Sequence, residues 1–147
     1  MEQKLFRFLS QALDSSGVDF TPRAESNQFK VVKLADGSSV NAKIDVFEEE
    51  SLIHIVHFHA KRGPVAQRNL ARTAKKICDI NASLPTGNFG LWNWTGTGNY
   101  VVTYREILHL VPARIDVFEA SKVVGSRLSS SFEVFSEHVE TLQPPSA

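Results

Sequence analysis

The chain has little of three things that often indicate a protein's class, namely cysteine, net charge and long apolar runs. Its one cysteine, Cys78, cannot form an internal disulfide, which favours a reducing, cytoplasmic setting. Sixteen basic and sixteen acidic side chains cancel, so we expect no overall attraction to nucleic acid or to an anionic membrane. No run of about 18 uncharged apolar residues occurs, so we expect neither a signal peptide nor a membrane span.

Motifs of nucleophilic or phosphate chemistry are also missing. No Gly-x-Ser-x-Gly elbow occurs, and the serines at 129–131 fall within a predicted helix. The glycines of the stretch PTGNFGLWNWTGTGNYVVTY lie between two strand-like segments, whereas a phosphate loop leads from a strand into a helix. We therefore expect Gly96 and Gly98 to adopt positive φ in a hairpin turn. The sequence predicts a protein that is not an enzyme and has no cofactor.

The pattern of apolar residues predicts one domain over residues 1–147, with a frayed tail at about 143–147. The segment 19–27, DFTPRAESN, has the composition of a loop, and Asp36-Gly37 is a hairpin signal. Cys78 is assigned to an apolar helical stripe and is predicted to be a small buried residue. The predicted order is a helix over 2–16, three strands between 28 and 59, a helix from Pro64 to Asn81, two strands around TGTGN, and a helix of about 25 residues from Val117 to Leu142.

This order and one local pattern resemble a known superfamily. The segment ICDINASLPTGNFGLW, then YVVTYREILHL and a long amphipathic helix, is similar to the type III secretion chaperones and the YbjN-like bacterial proteins. The resemblance is best from residue 77 onward. It implies an α+β domain with a five-stranded antiparallel sheet, usually a homodimer, that binds other protein segments through backbone edges and apolar pockets. Secretion chaperones tend to be acidic, so the neutral charge favours the YbjN-like branch.

Two histidines are the candidate metal ligands. His57 and His59 are two residues apart in a predicted strand, so they point to the same face and could present two imidazoles to one ion. The alternative is that they are partly buried histidines with satisfied nitrogens, and we favour it because no third ligand can be placed beside them. A metal-dependent enzyme or metal sensor therefore stays an alternative function.

Partner binding is predicted on one face of the sheet. Two helices can cover the other face, but the face expected to carry Ile53 and Ile55, with Trp92 and Trp94, needs a cover as well. The second helix, a second subunit or a captured protein segment would supply it. A small-ligand sensor with an aromatic pocket around Trp92 and Trp94 is a further alternative.

A basic ridge is predicted on the second helix. Its residues are Arg68, Arg72, Lys75 and Lys76, which lie opposite the apolar stripe. A solvated helix face is the favoured interpretation. The alternatives are an acidic protein partner, pairing with acidic groups of the same chain or of a second subunit, and, less favoured, a phosphate backbone.

Overall fold

The structure is a computed structural model that describes residues 2–59, 64–94, 96 and 98–143, with the side chain of Trp94 left out. Most of the predicted frayed tail, residues 144–147, lies outside the described residues. In the part that is described, no helix combines the length and the apolar character needed to cross a bilayer.

Three helices and a six-stranded sheet make up the described chain. The helices are α1 (Lys4–Ser16), α2 (Leu70–Asn81) and α3 (Val117–Leu142). The strands are β1 (Asp19–Arg23), β2 (Gln28–Lys33), β3 (Ser39–Phe47), β4 (Leu52–Phe58), β5 (Asn88–Trp94) and β6 (Asn99–His109). They lie in the order β1-β2-β3-β4-β6-β5, and all neighbours are antiparallel. The α+β class is confirmed.

The prediction of five strands was wrong, because β1 occupies the segment that was predicted to be a loop. Four of its five residues are exposed, so the strand lacks the alternation of apolar and polar residues that would indicate it. β1 is also at an edge of the sheet, where Pro22 is tolerated because one side of the strand needs no N–H donor.

The bounds of the three helices are set by single residues and contacts at their ends. Gly17 ends α1 with φ 80°, a left-handed conformation that glycine adopts without strain. Asp116 caps α3 by accepting a hydrogen bond from the Glu119 N–H. The second helix begins at Leu70 rather than at Pro64, because the Val65 N–H bonds to the Tyr100 carbonyl at 2.7 Å and ties this segment to β6.

All three helices pack on the same face of the sheet, which we call the covered face. One core cluster joins α1 and α3 to strands β2–β4, and a second joins α2 and the end of α3 to β5 and β6. Ile77 of α2 belongs to the second cluster together with Phe89, Tyr104 and Phe135. The second helix therefore does not cover the opposite face.

The predicted exposure of Ile53 and Ile55 was wrong. Both side chains are 0% exposed and lie in the cluster under α1 and α3. In the register of the sheet Ile55 is opposite Glu106, whereas Trp92 is opposite Val101. Even and odd positions of β6 point to opposite faces, so Trp92 is on the other side of the sheet from the two isoleucines.

Candidate functional site

The second face of the sheet, which we call the open face, is not covered by a helix in the described chain. Apolar side chains remain exposed on it: Ile107 is 52% exposed and Trp92 is 36% exposed, and Phe47 is exposed near its end. Trp92 is opposite Val101, and Ile107 lies six residues further along β6, so these groups mark the two ends of the face. A sheet face that no helix covers and that exposes apolar groups is a candidate binding surface.

An aromatic pair, Phe58 and Trp92, lies at one end of the open face. The two rings meet edge to face with centroids 5.5 Å apart. The Lys43 ammonium is 5.8 Å from the Phe58 centroid and 5.4 Å from the Trp92 centroid, within the range of a cation–π contact. An open depression of about 350 Å³ is lined by these three side chains together with Arg23 and Lys30. Aromatic rings and cations therefore share one concave site.

A row of three cations, Lys30, Lys43 and Arg105, crosses the open face beside the aromatic pair. Lys30 is directly opposite Lys43, and Val56 is paired with Lys43 on one side and with Arg105 on the other. Neighbouring strands are about 4.8 Å apart, so the cation row spans about 15 Å. Like charges directly opposite each other in a sheet are destabilising, and the Asp45 carboxylate, 3.4 Å from the Lys43 ammonium, offsets part of this repulsion.

The two edges of the sheet are poor sites for strand addition. The Asn81 side chain bonds to both the N–H and the carbonyl of Phe89 in the edge strand β5, at 2.8 and 3.0 Å. Pro22 removes one donor from the other edge strand, β1. Binding by face contact is therefore better supported than binding by backbone edges.

His57 is buried beneath α3. Its Nε2 is 2.6 Å from Ser131 Oγ, and the Ser131 hydroxyl in turn donates to the Leu128 carbonyl. His57 Nδ1 has no hydrogen-bond partner among the described residues. Burial lowers the pKa of His57 to about 4, so the imidazole is neutral near pH 7.

His59 lies at the end of the same strand, with its ring 6.4 Å from that of Phe135. No group of three or more His, Cys, Asp or Glu side chains with the spacing of a metal site occurs among the residues that the structure describes. His57 directs one nitrogen to Ser131, and its side chain is 1% exposed. The metal site at His57 and His59 stays a prediction without a third ligand.

The basic ridge of α2 divides into two parts. Arg68, Arg72 and Lys75 are exposed, but Arg68 lies in the short 3-10 turn Gln67–Asn69 before α2 and not on the helix as predicted. The Lys76 ammonium donates to the Thr141 carbonyl in the last turn of α3 at 3.2 Å. A cation at a helix C-terminus is favourable because it faces the negative end of the helix dipole. The ridge lies on the helix side of the molecule, so it is not continuous with the cation row.

A buried polar network was not predicted from the sequence. Glu106 is 4% exposed and accepts from Arg127 at 3.1 Å, and Tyr104 Oη lies 2.9 Å from the second Glu106 oxygen and 3.0 Å from the Thr86 carbonyl. Burial, and then the hydrogen bond to Glu106, raises the pKa of Tyr104 above its usual value. The sequence held one sign of this network, because Glu106 is a carboxylate at an inward-facing position of the apolar segment YVVTYREIL.

The structure tests two other predictions, the burial of Cys78 and the positive φ of the hairpin glycines. Cys78 is exposed, which corrects its predicted burial, because it is one residue beyond Ile77 and therefore about 100° around the helix from the buried stripe. Gly96 and Gly98 have φ of 71° and 83°, as predicted for the hairpin turn. Trp94 belongs to β5, but the prediction for its side chain lies outside what the structure describes.

Comparison with known proteins supports the fold. No protein-family model and no curated protein matches the sequence. Among solved structures, the crystal structure of YbjN from E. coli, a provisionally assigned transcription regulator, is similar, with a TM-score of 0.64 and 18% sequence identity. The match covers 90% of this chain and 92% of that one. At this identity the likeness concerns the fold alone, and the chain has a YbjN-like fold.

Proposed function

We propose that this chain is a non-enzymatic, adaptor- or regulator-type module that binds protein partners through the open face of its sheet. One observation carries the proposal: α1, α2 and α3 all pack on the covered face, and apolar groups such as Trp92 and Ile107 remain exposed on the other. Burying such groups is favourable by about 25 cal/mol per Å², so a surface of this kind gains from a partner. The YbjN-like fold, found in a provisional transcription regulator, agrees with a regulator or adaptor role.

The mode of binding follows from the protected edges. In β5, the Asn81 side chain already bonds to the N–H and the carbonyl of Phe89. In β1, Pro22 has no N–H to donate to an added strand. We therefore propose that a partner segment lies on the face and is held by side chains, not added as a seventh strand.

We propose that the chain also forms a homodimer, through a surface other than the open face. In a two-fold dimer the same patch meets itself, so an interface at the open face would bring two copies of Lys30 and Lys43 together. The exposed ring of Phe118 on α3 offers an alternative surface. Light scattering coupled to size-exclusion chromatography of the wild type and of Phe118→Glu measures this directly; we expect a dimer that the substitution weakens.

A small-ligand sensor is a second candidate, favoured by the depression beside Trp92 and Phe58. Its volume of about 350 Å³ is at the lower end of the range for ligand sites, about 300–1,000 Å³. Tryptophan fluorescence measured against a metabolite panel tests it, with Trp92→Phe as the variant that should lose any response.

The main proposal is tested by photo-cross-linking. A photoreactive amino acid at position 107 probes the open face, and the same amino acid at position 118 is a matched control, because Phe118 is 65% exposed but lies on α3. In cells that express the protein, we expect adducts with other proteins from position 107, whereas position 118 should give only adducts between two copies of this chain. Equal adducts with other proteins from both positions, or none from 107, would contradict the proposal.

A further inference from the structure

We propose that the open face binds an acidic protein segment that also carries an apolar or aromatic side chain, the carboxylates meeting the cation row and the apolar group packing on the aromatic pair. This inference rests on the proposed protein-binding function and names the chemistry of the partner. The two subsites are adjacent, because Lys43 belongs to the cation row and its ammonium also contacts both Phe58 and Trp92.

Charge on the open face is strongly one-sided although the whole chain is neutral. The strands β2–β6 contain two acidic residues, Asp45 and Glu106. Glu106 points to the covered face, where Arg127 pairs with it. Asp45 is 3.4 Å from the Lys43 ammonium. On the open side of these five strands, the Asp45 carboxylate is therefore outnumbered by the three cations of the cation row.

The pairing of Lys30 with Lys43 is the clearest indication that this surface suits an anionic partner. The two residues are direct cross-strand partners, and Lys30 is exposed. Two like charges at this position repel each other, and a carboxylate placed between them would convert that repulsion into two attractive contacts. His54 lies on the next strand, close to the cation row. Its pKa is lowered by burial and then by the positive charge of Arg105.

The dimensions suit a short extended segment. The cation row spans about 15 Å, which about four to five extended residues cover. The depression beside Trp92 has a volume of about 350 Å³, and one large side chain fills only part of it. A segment with two or three carboxylates and one aromatic anchor therefore matches the surface in charge and in size.

Two other occupants fit the surface less well. A second copy of the chain would oppose one cation row to another in a symmetric interface. Single-stranded nucleic acid needs a basic track that follows its backbone over several nucleotides. Here the basic ridge of α2 lies on the helix side and does not extend the cation row, so no such track continues from the open face.

The test uses the full chain and three fluorescent probes. The first is a 12-residue peptide with four Glu and one Trp, the second is the same peptide with Gln at the four Glu positions, and the third is a 12-nucleotide single-stranded DNA. Fluorescence anisotropy gives the affinity of each at low and at high salt. We expect the Glu peptide to bind at least about tenfold more tightly than the Gln peptide. Its affinity should decrease as the salt concentration rises.

Charge-reversed variants are tested as well, because a gain of binding to a peptide of the opposite charge cannot result from a loss of stability. Lys30→Glu/Lys43→Glu should lose binding of the Glu peptide and gain binding of a matched peptide with four Lys. Arg72→Glu/Lys75→Glu on α2 is the control with the same change in net charge, and it should bind as the wild type does. Melting curves establish that each variant is folded.

Several results would overturn the inference: equal binding of the Glu and Gln peptides, tighter binding of the DNA, or an equal effect of the α2 control. Failure of the inference is distinguishable from failure of the proposed function. If position 107 cross-links to proteins but the peptide probes do not discriminate by charge, the open face binds protein of another chemistry. If position 107 gives no adducts, the protein-binding function itself is wrong.

Discussion

Asn81 at the end of α2 holds the backbone of Phe89 in β5 by two hydrogen bonds. Its Oδ1 accepts from the Phe89 N–H at 2.8 Å, and its Nδ2 donates to the Phe89 carbonyl at 3.0 Å. One side chain thus joins the helix to the sheet edge and satisfies both backbone groups of one residue in the edge strand. This contact accounts for an asparagine at position 81 in the segment ICDINASLPTGNFGLW.

Replacing Asn81 should destabilise the domain. Asn81→Ala removes both hydrogen bonds, each worth about 1 kcal/mol net, so we expect a loss of about 1–2 kcal/mol in the free energy of unfolding. Asn88→Ala, an exposed position in the same strand, is the control and should change stability by less than about 0.5 kcal/mol. Urea denaturation of the two variants measures the difference; equal values would mean that the Asn81 contact is not stabilising.

Gly87 should be the least replaceable glycine. It has φ of 73°, and a Cβ at this position would lie 2.6 Å from Tyr104 Cζ and 2.8 Å from Glu106 Cγ, so an alanine would collide with a buried network. We expect Gly87→Ala to cost about 3 kcal/mol or more, the sum of backbone strain and steric overlap. Thermal or urea unfolding measures the cost.

Gly96 provides the matched control for that experiment. Its φ of 71° is nearly the same, but nothing lies within 4 Å of an added Cβ. Gly96→Ala should therefore cost only the backbone term, about 1–2 kcal/mol. If the two variants are equally stable, the contact with Tyr104 is not what requires glycine at position 87.

Stability should fall in mild acid because of His57. Its pKa is lowered to about 4 in the folded state from an ordinary value near 6.5, so the unfolded chain binds the proton more tightly. The stabilisation is fully present above about pH 6.5 and is lost as the pH falls toward about 4. Between about pH 7.5 and pH 5 we expect a loss of about 2 kcal/mol from this group.

The measurement is urea unfolding across that pH range for the wild type and for His57→Gln. Glutamine does not titrate, so the variant should lose about 2 kcal/mol less than the wild type over the same interval. Parallel curves for the two proteins would show that His57 is not protonated differently in the folded and unfolded states.

Gly125 in the middle of α3 should tolerate alanine and reject larger residues. An added Cβ would lie 3.5 Å from Ser16 Cβ of α1, an ordinary contact distance, and alanine gains about 1 kcal/mol of helix propensity over glycine. We expect Gly125→Ala to raise the melting temperature. Gly125→Leu should lower it, because the longer side chain would separate α1 from α3.

The three helices were predictable because their apolar residues repeat at spacings of three and four, but the start of α2 at Leu70 was not, because a tertiary hydrogen bond of Val65 overrides the signal of Pro64. Gly17 and the long stripe of α3 are the clear signals, and α3 continues through Gly125 as a close contact rather than a break. The strand β1 was not predictable, because an exposed edge strand needs only backbone pairing and leaves no apolar pattern.

The face assignments could not be derived from one strand alone. Alternation places Ile53, Ile55 and His57 together, but it does not say which face the helices cover or how β5 is aligned with β4. β6 lies between those two strands, and the pairs His57–Tyr104 and Phe89–Tyr104 fix the alignment that puts Trp92 on the opposite side. The cation row likewise appears only when the register of four strands is known.

Hydroxyl-radical footprinting of the chain alone and with a partner recovered by cross-linking at position 107 shows directly which side of the molecule the partner covers. We expect the partner to protect Phe58, Trp92 and Ile107 on the open face and to leave Phe118 on α3 as reactive as before. Protection confined to the outer surface of α3 or to the α2 ridge, with unchanged reactivity at Trp92, would contradict binding at the open face.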